Sequence, residues 1–135
     1  MHSSLRIFSL LGCLAALGCS GEMVPASGRV AYSDGSNIEG AIRIIRFEPD
    51  DDTTAKVKKA ASSEIAADGS FTLMTTRPGD GVYRGKYVVT FTVLESPETG
   101  KSLIKQKYST FAESPFEVSV EGGKDDYFFE LEKLE

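Results

Sequence analysis

Few side chains in this chain could do chemistry, and their positions narrow what that chemistry could be. The two cysteines, Cys13 and Cys19, and the one histidine, His2, all lie within the first nineteen residues. Beyond Cys19 there is neither a thiolate nucleophile nor an imidazole base, so no Ser-His-Asp or Cys-His arrangement and no Cys/His zinc site can be assembled there. Carboxylate, lysine and tyrosine chemistry is what remains. The run Glu48-Pro49-Asp50-Asp51-Asp52 holds the oxygens that calcium prefers. It lacks the spaced Asp-x-Asp-x-Asp-Gly pattern, however, and three adjacent acids splay outward from a solvated loop. Asp50, Asp51 and Asp52 are carried forward as candidate binding residues, with no metal site and no cofactor expected. Lys56, Lys58 and Lys59 read as charges that keep an edge strand from pairing with other chains. Among Phe111, Phe116, Tyr127, Phe128 and Phe129, Phe128 is the candidate binding aromatic, because alternation turns it away from its two neighbours.

The first residues must be set aside before fold reasoning. Residues 1–6 carry one positive charge, Arg6, and no acid; residues 7–17 are apolar or small except for Ser9. That run is too short to span a bilayer, which needs about 20 apolar residues, and suits a signal-peptide core. It ends in Ala16-Leu17-Gly18-Cys19-Ser20, which resembles the lipobox of bacterial lipoproteins, where a small residue precedes the cysteine that receives a diacylglycerol thioether and becomes residue one. Leu10-Leu11-Gly12-Cys13 also reads as a lipobox, and Leu10 fits its first position better than Ala16 does. Using Cys13 would leave an apolar core of only residues 7–12, below the ~7-residue minimum. Cys19 is therefore the expected lipidated residue, with Cys13 the alternative. The expected organisation is a signal peptide over 1–18, a lipidated tether over 19–26 and one domain over 27–135. From Cys19 onward the chain has 117 residues with 14 basic and 20 acidic side chains, a net charge of −6. That balance argues against nucleic-acid binding and against electrostatic attraction to anionic lipid, leaving the acyl chains to hold the membrane.

The elements that must position any site have a period of two. Strands are predicted over 28–32, 41–47, 58–65, 71–75, 85–93, 116–120 and 127–131. The alternation slips between Ile44 and Ile45, which predicts a bulge there or burial on both faces. Asp68-Gly69 predicts a hairpin turn, since glycine accepts the positive φ that such a turn demands. Residues 77–81 are a second cluster of breakers, and the turn 121–124 precedes the last strand. Residues 96–114 lack clean alternation but carry Leu103, Ile104, Tyr108 and Phe111, and are predicted to be a long crossover packed by those four side chains. Seven short strands without a sustained helical period indicate an antiparallel β-sandwich.

Taken in order, Ser27-Gly28-Arg29-Val30, Ile38-Glu39-Gly40-Ala41-Ile42, Asp68-Gly69-Ser70-Phe71-Thr72-Leu73 and Gly85-Lys86-Tyr87-Val88-Val89 resemble the carboxypeptidase regulatory-like, or transthyretin-like (prealbumin-like), domain. More narrowly, the chain resembles small planctomycete-type lipoproteins with that domain, in which a crossover like Ser102-Leu103-Ile104 … Lys107-Tyr108 precedes a last hairpin like residues 118–124. The resemblance implies an all-β, seven-stranded Greek-key sandwich. Two departures are Lys105 where a proline is expected, and a stretch at residues 42–45 that is two residues longer than usual. Tyr87 is expected to bury its ring and tie down a neighbouring turn with its hydroxyl, as in a tyrosine corner. Tyr83-Arg84-Gly85 is similar to part of the Tyr-Arg-Gly-Ser motif of transthyretin-related hydroxyisourate hydrolases, but it lies mid-chain, is followed by Lys86 and has no histidine to work with.

The expectation is a non-enzymatic, exported, membrane-anchored envelope lipoprotein whose domain is a binding or structural module for another envelope component. The alternative is a carbohydrate-binding or adhesion module that presents an aromatic face to glycans. Which membrane holds it stays open.

Overall fold

The computed structural model describes residues 22–134. Strand formation follows the alternation of β-branched and aromatic residues, which suits a pleated surface buried on one side. The longest strand shows this best. In β7 (Gly85–Leu94), Tyr87, Val89, Phe91 and Val93 point inward and are at most 1% exposed. The others are β1 (Met23–Val24), β2 (Ala26–Tyr32), β3 (Ile42–Pro49), β4 (Ala61–Glu64), β5 (Ser70–Thr72), β6 (Val82–Tyr83), β8 (Glu117–Val120) and β9 (Lys124–Leu131), with one short helix, α1 (Gln106–Ser109). The described residues are thus all-β, with sheets ordered β4-β3-β7-β8, β5-β2-β9 and a small pair β1-β6. The inward side chains of the two larger sheets meet in one hydrophobic cluster. Phe47 of β3 lies edge-on to Tyr127 and Phe129 of β9, at ring-centroid distances of 5.5 and 6.1 Å.

Each of the seven predicted strand segments contains a strand, but they do not all pair antiparallel. β2 and β9 run parallel, with Gly28 opposite Tyr127 and Tyr32 opposite Leu131. The cause is topological. β8 ends beside the point where β2 starts, the turn at 121–123 is short, and β9 therefore sets off in the same direction as β2. For the same reason residues 118–124 form no hairpin: β8 and β9 belong to different sheets. The Asp68-Gly69 turn behaves likewise. Its local geometry is as predicted, with Gly69 at φ +89°, the Gly69 N–H donating to the Ala66 carbonyl at 2.8 Å and the Ala66 N–H to the Ser70 carbonyl at 2.9 Å. Yet β4 pairs with β3 and β5 with β2, because Ala61 and Phe71 fill the core from opposite walls. Beyond the turn the two segments are joined by the Ser62–Met74 bridge and by the Thr72 N–H donating to Ser63 Oγ at 3.2 Å.

No bulge occurs at Ile44–Ile45: the β3–β7 register is continuous from Ile42–Leu94 to Pro49–Tyr87. Ile45 and Phe47 are fully buried, whereas Ile42 and Ile44 lie on the outer face, partly covered. The register shift falls instead in β2 against β9, between Ala26 and Gly28. The crossover is packed by Ile104 and Tyr108, and partly by Leu103; Phe111 is only partly buried. It closes the gap between the sheets by bridging Leu94 to Ser102 and Ile104 to Lys133, and the Tyr108 hydroxyl accepts the Glu132 N–H at 3.0 Å.

The strands define two poles. At the near pole lie residues 22–25 and the loops 50–60, 73–81 and 121–123; at the far pole lie 33–41, 65–69 and 95–101. Pairing begins earlier than the expected boundary at 27, because Met23 and Val24 pair with Tyr83 and Val82. Gly81, at φ +87°, makes room for this: a Cβ there would sit 2.2 Å from the Val24 carbonyl oxygen.

Gly28 is the tightest point of the parallel pair, where a Cβ would lie 2.0 Å from the Tyr127 carbonyl oxygen. Backbone cannot yield as a side-chain tip can. Gly28→Ala is expected to destabilise the protein by about 2–3 kcal/mol, read as a lower urea midpoint at unchanged slope; a loss below about 0.5 kcal/mol, within surface-substitution range, would show that the close approach does not constrain the fold.

Candidate functional site

The densest set of specialised interactions is at the near pole, around residues 83–87. Tyr87 opens the inward row of β7 and is 1% exposed. Its hydroxyl donates to the Tyr83 carbonyl, four residues back, at 2.6 Å, as expected for a tyrosine corner. Burial pushes its pKa up to about 12. Arg84 donates through Nε to the Glu121 carbonyl at 2.8 Å, tying this corner to the turn between β8 and β9. Gly85 lets the 53–55 loop lie across it, since a Cβ there would be 2.7 Å from that of Ala55. Buried Thr53 completes the contact, its Oγ1 accepting the N–H groups of Lys86 at 3.1 Å and Ala55 at 3.3 Å. All three residues of the Tyr-Arg-Gly sequence thus serve packing.

The acidic run forms a turn. Asp50 donates its N–H to the Lys86 carbonyl at 2.9 Å and accepts the Thr53 N–H at 3.0 Å on its own carbonyl. Its Oδ1 accepts the Asp52 N–H at 3.2 Å, while Asp51 and Asp52 are exposed. The three carboxylates do not converge. Among the described residues, no three His, Cys, Asp or Glu side chains are grouped to hold a metal ion.

The carboxylates with perturbed acidity cap turns. Asp80 accepts three backbone N–H groups, from Thr75, Thr76 and Arg77, at 2.8–2.9 Å, and these bonds hold its pKa below the usual 3.8. Asp68 is lowered chiefly by the Ser70 hydroxyl. Asp34 is lowered chiefly by the Lys133 ammonium at 2.7 Å, with help from Ser36. A carboxylate depressed in the folded state adds stability above its unfolded pKa and loses it as pH falls through the folded value. These three therefore favour the fold at neutral pH and surrender that contribution in acid below pH 4. The run 77–81 signalled a turn; the three-fold use of the Asp80 carboxylate went unread.

Phe128 stands where alternation put it, 53% exposed on the outer face of β9. The parallel register sets it beside Arg29 of β2. That guanidinium is fixed by Nε donating to the Asp68 carbonyl and Nη2 to Asn37 Oδ1, each at 3.1 Å. Asp126 and Glu130 flank Phe128 on the same face, both exposed. The structure does not bring Phe128 together with Asp50, Asp51 or Asp52, which sit in the near-pole loop.

A groove of about 520 Å³ between the start of β3 and the end of β4 was not anticipated; Ile42, Ile44, Glu64 and Ala66 line it. Arg43 enters its wall but spends its guanidinium on carbonyls, Nε to Ile65 at 2.9 Å and Nη1 to Gly40 at 2.6 Å. An arginine at an inward position in an isoleucine-rich strand was the available signal. Cys19 and its rival Cys13 lie outside the described residues. No protein-family model, curated protein or solved structure matches the chain.

Tyr87→Phe removes a buried donor and leaves the Tyr83 carbonyl without it, at a cost of about 1–2 kcal/mol. The raised phenol also sets a pH dependence: its contribution is complete below pH 10 and is lost as pH rises through about 12. Urea unfolding at neutral pH and across the alkaline range should show the variant less stable at neutrality and losing less stability above pH 10. An alkaline loss identical to that of the wild type would remove Tyr87 as its source.

Proposed function

We infer that this chain is an exported, lipid-anchored and non-enzymatic envelope protein. Its domain is a transthyretin-like sandwich of seven main strands, carried on acylated Cys19, that acts as a binding or structural module. The observation that carries the reading is the commitment of specialised groups to scaffolding. The Tyr87 hydroxyl, the Asp34, Asp68 and Asp80 carboxylates and the Arg43 and Arg84 guanidinia each fasten a turn or strand end. The early clamp of β1 on β6 supports the anchoring part. It fixes the chain four residues after Cys19, which limits the tether to about 14 Å at ~3.4 Å per residue.

Intact-mass analysis of protein extracted from membranes tests this reading. The expected species starts at residue 19 with added acyl mass, and Cys19→Ala abolishes both the added mass and the membrane fraction. An unmodified start elsewhere overturns it, and acyl mass on a chain starting at residue 13 moves the anchor to Cys13.

A glycan-binding reading has one observation of its own, the exposed ring of Phe128 beside the immobilised Arg29 guanidinium. An aromatic face with fixed polar groups around it suits the C–H face and hydroxyls of a sugar. On a glycan array, binding by the domain that falls at least tenfold in Phe128→Ala would favour this reading. No binding would leave the module to a protein partner.

A further inference from the structure

We propose that the near pole is the membrane-facing surface, so that the domain stands on the lipid headgroups with its far pole directed away. This rests on the lipid anchor at Cys19 and adds to it the orientation of the domain.

The reach of the chain supplies the first constraint. Four residues separate Cys19 from Met23, where pairing with β6 begins, so the first fixed point of the domain lies within about 14 Å of the acylated residue, at ~3.4 Å per residue. The clamp is rigid: Val24 and Val82 are buried, and the Val24 carbonyl lies directly against Gly81. The strands then run away from that point. The ten residues of β7 span about 33 Å, at ~3.3 Å per residue. The loops at 33–41, 65–69 and 95–101 thus lie at roughly twice the tether's reach, and an inverted domain is out of range.

Charge supplies the second constraint, against lying on a flank. Resting on the outer face of β9 would press Asp126 and Glu130 toward lipid phosphates, and resting on the opposite face would do the same to Glu64 and Glu117; all four are exposed. On the crossover edge, Lys105 and Lys107 both engage Glu132, at 2.7 and 3.4 Å. At the near pole the exposed cations at 58, 59, 77, 84 and 86 offset the exposed acids at 22, 51, 52, 121 and 125, so this pole meets phosphates with balanced charge where the flanks meet them with acids. Asp80, the acid of the 77–81 loop, turns its carboxylate back onto its own backbone.

The chain contains no tryptophan, so one introduced indole reports its own surroundings. Acylated full-length protein would be reconstituted into phosphatidylcholine vesicles that carry a headgroup nitroxide quencher. Five variants cover the surface: Arg77→Trp at the near pole, Lys101→Trp at the far pole, Phe128→Trp and Arg46→Trp on the two flanks and Gln106→Trp on the crossover edge. Quenching severalfold stronger for Arg77→Trp than for the other four is expected. Equal or stronger quenching of Phe128→Trp, Arg46→Trp or Gln106→Trp would overturn the orientation in favour of a flank, and stronger quenching of Lys101→Trp would invert it. Flotation of the same vesicles separates the two readings. Protein that floats but shows the wrong quenching order defeats the orientation alone, whereas protein that does not float defeats the anchor, and the orientation with it.

Discussion

The structure depends on the ring of Phe129. It sits in β9, the last strand, and meets Phe47, Phe91 and Phe116 from the opposite side of the core as well as Phe71 and Tyr127 from its own sheet, at centroid distances of 5.4–6.4 Å. The three contacts across the core, to Phe47, Phe91 and Phe116, are edge-to-face, a geometry that adds about 0.5–1.5 kcal/mol each beyond burial itself. The position of Phe129 is fixed in turn by the parallel register with β2, which requires the bare backbone of Gly28. β2 and β9 must therefore find each other across nearly the whole domain. Such non-local pairing makes folding slow, because loop closure precedes its reward.

Given that core, the chain's corners do work that hairpins would otherwise do. The turns at 66–69 and 121–123 each move the chain from one sheet to the other, so the strands that flank them are not partners. A corner of this type exposes backbone donors and acceptors that no ladder satisfies. Asp68 and Asp80 accept neighbouring N–H groups, and Arg84 donates to the Glu121 carbonyl. These acidic and basic side chains are consumed here for the elementary reason that buried or half-buried backbone polar groups must be paired.

Local pattern was legible in the sequence, and partner choice was not. The alternation in residues 85–93 identified the inward row Tyr87, Val89, Phe91 and Val93, and the outward turn of Phe128, because a period of two decides which face each residue occupies. The corner at Tyr87 was legible too, since a tyrosine at the head of a buried strand needs a hydroxyl partner nearby. Which strands pair depends on the balance of the whole core, and so the parallel β2–β9 pair departs from the all-antiparallel expectation and the two sheet-changing turns from the predicted hairpins. β1 and β6 escaped notice because two-residue strands carry no period; Met23-Val24 and Gly81-Val82 offer only an apolar pair beside a breaker. Of the candidate site residues, the exposure of Phe128 followed from alternation and the open turn of Asp50, Asp51 and Asp52 from their crowding.

The absence of cysteine beyond residue 19 sharpens the role of these contacts. Small domains of modest core commonly rely on disulfides, and residues 22–134 contain no cysteine with which to form one. The Phe129 cluster takes over that task by joining both sheets through five rings. A continuous path links it to the place where the chain enters the domain: β1 is clamped to β6, the Tyr83 carbonyl at the end of β6 accepts the Tyr87 hydroxyl, and the Tyr87 ring packs on Phe47 at 5.9 Å. Phe47 in turn meets Phe129. A pull on the residues before Met23 is thus delivered to the centre of the core rather than to a loose first strand. That path is consistent with the N-terminal anchoring proposed above.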